Sequence, residues 1–121
     1  LRRQRQMCIR DRVWKAQLQV LFPIIEMLRI KLIKELEDEL RRCLSERYVL
    51  QFGEQITDPY DLEFGTLTWL MAKKDDNWMR YLYVPDENTR YHIRFLKECR
   101  NCLAHTDCCT VEQVRELMAL R

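Results

Sequence analysis

Nine apolar residues fall on one line of the chain: Trp14, Leu18, Leu21, Ile25, Leu28, Leu32, Leu36, Leu40 and Cys43. Their spacings of 4, 3, 4, 3, 4, 4, 4 and 3 follow the 3.6-residue period of an α-helix. Ile24, Met27, Ile30 and Ile33 form a second, adjacent stripe. An apolar arc this wide buries against more than one neighbour or against a second chain. Pro23 interrupts the pattern and either kinks the helix or opens a fresh one at its first turn. The charged residues between Lys31 and Arg42 lie off the apolar line, as on a solvated helix face.

The rest of the chain continues in the same style. Residues 51–61, with Gly53, Asp58 and Pro59, read as a connector. Asp58 or Asp61 can cap a second helix that runs to about Lys74 and carries Leu62, Phe64, Leu67, Leu70 and Met71. Gly65 inside it costs a helix about 1 kcal/mol relative to Ala, which suggests close approach by another helix. Trp78 to Val84 fits helix or extended chain equally. Pro85-Asp86 opens a further helix with Asp86 as its N-cap; Tyr91, Phe95, Leu96, Cys99 and Leu103 line one face of it as far as about His105. Thr110 and Gln113 form a capping box for a last helix carrying Val114, Leu117 and Met118. The expectation is an all-α bundle of four to five helices with a long first helix.

Composition narrows the function classes. The 121 residues make one domain. The 2 Gly and 3 Pro argue against sandwiches, barrels and a glycine-rich nucleotide loop. The longest apolar stretch, Val20 to Ile25, is too short to span a membrane, and no cleavable secretory signal is visible. The formal charge of +2 conceals an asymmetry: residues 1–12 hold five Arg against Asp11, which leaves 16 basic and 18 acidic residues in 13–121. The body is therefore no general polyanion binder. Residues 1–12, which lack an initiator Met and contain Gln4-Arg5-Gln6-Met7-Cys8-Ile9-Arg10-Asp11-Arg12, resemble a translated sequencing adapter. They read as a non-native extension, with 13–121 as the domain, and the expectation is a fragment of a longer protein. Six Cys, four of them within eleven residues, do not space out as a secreted disulfide framework does. They read as reduced thiols of a cytoplasmic protein.

Chemistry concentrates in Glu98-Cys99-Arg100-Asn101-Cys102-Leu103-Ala104-His105. Arg100 offers a permanent cation with a planar donor fork, and His105 a group that moves protons near neutral pH. On a regular helix the two stand about 140° apart, whereas Asn101 and His105 share a face. A site that uses both needs a helix end near His105 or the same segment from a second chain. Two other readings of this stretch compete. Cys99, Cys102, His105 and Cys108 have zinc-ligand chemistry, but steps of three residues fan them around half a helix. Alternatively, Arg100 pairs with a carboxylate such as Glu98, His105 is an ordinary helix C-terminal residue, and the thiols are small core groups.

Arg100-Asn101-x-x-Ala104-His105 resembles the R-x4-6-H motif of HEPN domains (higher eukaryotes and prokaryotes nucleotide-binding). Phe64-Gly65-Thr66-Leu67-Thr68-Trp69-Leu70 is similar to the glycine-bearing helix of several subfamilies, and Phe95-Leu96 and Thr110-Val111-Glu112-Gln113 agree with the flanking helices. The resemblance covers roughly 50–121 and more loosely the helix before it. It implies a dimeric all-α fold and metal-independent endoribonuclease activity with no cofactor. Arg100 would hold the scissile phosphate, His105 act as general acid or base, and Asn101 orient the phosphate or imidazole, leaving a 2′,3′-cyclic phosphate. The implied partners are RNA, a second copy, and an antitoxin or larger fused protein. Many family members are instead non-catalytic modules that bind RNA, a nucleotide or a protein. His92 reads as a surface or satisfied residue. Trp69, Trp78, Tyr81 and Tyr83 have the chemistry to stack bases, but their spacing points to core packing.

Overall fold

The computed structural model describes the backbone of residues 2–121 and the side chains of residues 9–121. Cys8 and most of the segment set aside as foreign lie outside the described side chains. Among the described residues there are five α-helices: α1 (Arg2–Glu35), α2 (Glu37–Glu46), α3 (Phe64–Ala72), α4 (Glu87–Ala104) and α5 (Val111–Leu120). The only sheet among them is a two-residue hairpin of β1 (Leu50–Gln51) and β2 (Glu54–Gln55). The chain is all-α with a long first helix, as its periodicity requires. No helix among the described residues is long and apolar enough to cross a membrane.

Every residue of the first apolar stripe is buried or half-buried. The helix is nonetheless two helices. Leu36 leaves helical geometry at φ −101° and ψ 10°, but its N–H still reaches the Leu32 carbonyl (3.1 Å) and its carbonyl still takes the Leu40 N–H (2.9 Å). The hydrogen-bond ladder therefore crosses the break and the stripe stays in register. Pro23 stands inside α1 without ending it. The second stripe divides: Ile24 and Ile33 are buried, while Met27 and Ile30 face solvent.

The chain divides into two compact units, residues 1–28 with 96–121, and residues 29–95. In the first, Leu21, Ile25, Leu28, Leu96, Leu103 and Leu117 are buried. In the second, α2 and α3 supply Leu40, Leu67 and Leu70, and the segment after α3 supplies Leu82 and Val84. Here Arg29 is buried, with its guanidinium Nη1 donating to the carbonyls of Tyr60 (2.8 Å) and Leu62 (3.0 Å). Those carbonyls would otherwise be costly to bury.

Four local expectations are corrected. Asp58 caps a 3-10 turn, Pro59–Asp61, by accepting the Tyr60 N–H, and not α3. The start of α3 is capped from a distance: Gln51 Oε1 accepts the Glu63 N–H at 2.9 Å and the Thr66 hydroxyl at 2.6 Å. Gly65 meets no neighbour, since a Cβ there would touch nothing within 4 Å. Gly65 itself is exposed, on the side of the first turn of α3 away from buried Phe64 and Leu67, so no helix packs against it. Trp69 is exposed on the face of α3 opposite Leu67, Leu70 and Met71, and of the later aromatics Trp78 and Tyr83 are exposed and Tyr81 half-buried, because the chain leaves α3 at Lys73 and turns instead of continuing a helical face. The connector carries the hairpin, turned by Phe52 (φ 52°) and Gly53 (φ 80°). Asp86 and the Thr110–Gln113 capping box act as the sequence indicates.

Candidate functional site

The motif lies at the end of α4, within the unit formed by residues 1–28 and 96–121. The helix ends in three bonds: His105 N–H to the Asn101 carbonyl (3.0 Å), Thr106 N–H to Leu103 (3.3 Å) and Asp107 N–H to Cys102 (2.8 Å). The last two are the paired bonds of a Schellman motif, which wants glycine in the left-handed position. Thr106 occupies it, at φ 60°. A β-branched residue there is strained by about 1–3 kcal/mol. His105 is therefore the last residue before a sharp reversal, and its side chain is exposed.

The reversal is fastened to α1. Trp14 Nε1 donates to the Leu103 carbonyl at 2.8 Å. Gln17 makes a two-way clamp on Cys109: its Nε2 donates to the carbonyl (3.1 Å), and its Oε1 accepts the N–H (2.7 Å). An open cavity of about 490 Å³ lies alongside, lined by Arg10, Asp11, Trp14, His105, Thr106 and Asp107. Arg10 and Asp107 pair at 3.4 Å with both side chains well exposed, a contact worth little.

The three residues of the motif are disposed differently. His105 lines the cavity; Arg100 and Asn101 are not among its lining residues. Asn101 is exposed one turn before His105, and Arg100 is half-buried with its Nε withdrawn from solvent. The imidazole thus shares its cavity with the Arg10 guanidinium, two carboxylates and an indole, and Arg100 is not part of the lining. Trp14 was legible only as a member of the apolar stripe. Gln17 and Asp107 carried no signal: the clamp joins residues 92 apart in sequence.

The thiols separate. Cys99 and Cys109 are buried, the Cys109 thiol donates to the Cys99 carbonyl at 3.8 Å, and the neighbouring Cys109 thiol, with burial, pushes the Cys99 thiol up. Burial also pushes Cys102 up. Cys99 is buried while His105 is exposed, and among the described residues no three metal-ligand side chains gather at one point. The five described cysteines are free thiols. Compared with known proteins, this chain matches no family model, no curated protein and no solved structure.

Proposed function

We propose that this chain is a metal-independent endoribonuclease domain of HEPN type, acting as a dimer in which Arg100 of one copy complements His105 of the other. The observation that carries the reading is the position of His105: solvent-open, at a strained helix end that α1 holds in place, beside a cavity large enough for a nucleotide. Strain and bracing together are how a protein fixes a reactive group. An imidazole so placed can take the proton of a ribose 2′-hydroxyl or return one to the leaving oxygen. The cavity of His105 holds the Arg10 guanidinium but not that of Arg100, which a second copy would add. Supporting the pairing, Val13, Val20 and Met27 line α1 at spacings of 7 and 7 and are all exposed, a stripe that a second α1 would cover.

The test is cleavage of a labelled single-stranded RNA in EDTA. The native chain should release a 2′,3′-cyclic phosphate product, and His105→Ala and Arg100→Ala should each slow it by about 10²–10⁴-fold. Equal, slow degradation by native and His105→Ala chains ends the nuclease reading. A second reading, a non-catalytic module binding RNA, a nucleotide or a protein, is favoured by the absence of Arg100 from the lining of that cavity.

A further inference from the structure

The most solvent-open indole of the described residues sits on a turn in the other unit. Lys74 and Arg80 face each other in an antiparallel bridge, and Asp75 organises what lies between. Its Oδ1 accepts the N–H groups of Asn77 (2.9 Å) and Met79 (3.0 Å), its N–H donates to the Met79 carbonyl (2.9 Å), and its carbonyl accepts the Trp78 N–H (3.0 Å). Its other carboxylate oxygen takes the Arg47 guanidinium at 2.8 Å, which lies 4.4 Å from the centre of the Tyr81 ring. With both oxygens engaged the turn has one geometry, and that geometry sets Trp78 at φ 63°. A bulky L side chain avoids this left-handed region. Trp78 nonetheless leaves 79% of its surface in water. Neither the strain nor the exposure helps the chain fold; both suit a preorganised stacking platform.

Trp78 lines a cavity of about 530 Å³ together with Arg42, Glu46, Arg47, Arg80 and Tyr83. Lys74 Nζ lies over one face of the indole, 5.6 Å from its centre, which adds positive charge there and leaves the other face for a base. Asp75 neutralises Arg47, but Arg42 is joined only to Glu39 in an exposed pair, which yields readily to a competing anion. Exposed Arg80 adds a further guanidinium, and exposed Glu46 supplies an acceptor.

We infer that this cavity binds one nucleotide of single-stranded RNA, the base stacked on Trp78 with its amino group toward Glu46 and the phosphate between Arg42 and Arg80. A peptide carboxylate would meet Glu46 as a like charge, whereas the amino group of adenine or cytosine donates to it. Only an unpaired base can reach a side-chain platform of this kind. The inference needs no cleavage and does not depend on His105.

The test is fluorescence anisotropy of labelled 2′-fluoro hexaribonucleotides, inert to attack by a 2′-hydroxyl, titrated with the full chain. The A and C hexamers should bind and the U hexamer more weakly. Trp78→Ala should weaken binding about tenfold, and Trp78→Phe, which keeps a ring, should retain most of it. Arg80→Ala should weaken binding and flatten the dependence of log K on log salt by about 0.7. His105→Ala should bind as the native chain does, so a failed nuclease and a failed pocket give different results. The inference is overturned by undiminished binding in Trp78→Ala and Arg80→Ala, by no saturable binding of any hexamer, or by an Asp/Glu-rich peptide that binds as tightly and is weakened by the same two variants.

Discussion

Thr106 holds a position that most helix ends give to glycine, and the residue before it is the candidate acid–base group. Thr106→Gly removes the steric conflict at φ 60° while adding backbone freedom to the unfolded chain. The relief is the larger effect for a β-branched residue, so the variant should be more stable by about 1 kcal/mol in urea unfolding. If the strain serves the site, the same variant should cleave RNA more slowly. Gln17 tests the bracing from the other side. Gln17→Leu leaves the half-buried Cys109 N–H and carbonyl without their partner, a loss of about 1–3 kcal/mol. Amide hydrogen exchange should show faster opening across residues 105–110, and a variant with unchanged exchange there would remove α1 from the account of the site.

At the scale of elements, the Asp75 turn is a pH-sensitive device. The Arg47 hydrogen bond, followed by the Met79 N–H, holds the Asp75 carboxyl below the usual carboxylate range. A folded value below the unfolded one, about 3.9, means that the contribution is complete above that pH and is lost as pH falls through the folded value. The Trp78 emission, isolated as the difference between native and Trp78→Phe spectra, should change below about pH 4. Asp75→Asn should show the acid spectrum at neutral pH. The α1 stripe makes a separate prediction: Val20→Glu with Met27→Glu should convert a dimer in sedimentation velocity to a monomer and abolish cleavage with it. A native chain that sediments as a monomer at micromolar concentration removes the composite site. Helix identity was legible because apolar spacing is a local property, as at Leu21, Ile25 and Leu28, and caps such as Asp86 and Thr110 act within three residues. The Gln51 cap of α3, the buried Arg29 and the Gln17 clamp were not, since each joins groups that sequence spacing cannot relate. Phe52 at a left-handed turn position and Trp78 on a strained turn ran against propensity; what fixes them is hydrogen bonding by neighbours.

On the scale of the whole molecule, the charge asymmetry separates real RNA recognition from incidental attraction. Residues 1–12 contribute five Arg and one Asp, and the remaining 109 residues carry two more acids than bases. A polyanion will therefore be held by the first segment whatever the two cavities do. The described side chains of that segment are exposed; Arg10 and Asp11 line the His105 cavity, and Arg10 reaches Asp107 through a surface pair. Deleting residues 1–12 should accordingly lower the salt at which the protein elutes from heparin while moving the thermal midpoint by no more than about 2 °C. Binding of the A hexamer, if it belongs to Trp78 and Arg80, should survive the deletion with most of its affinity intact, because those residues belong to the unit of residues 29–95 and the deleted segment does not. A large fall in the midpoint would show that the segment is part of the fold. Loss of hexamer binding together with heparin retention would show that the affinity resides in the arginines of the first twelve residues and not in the cavity.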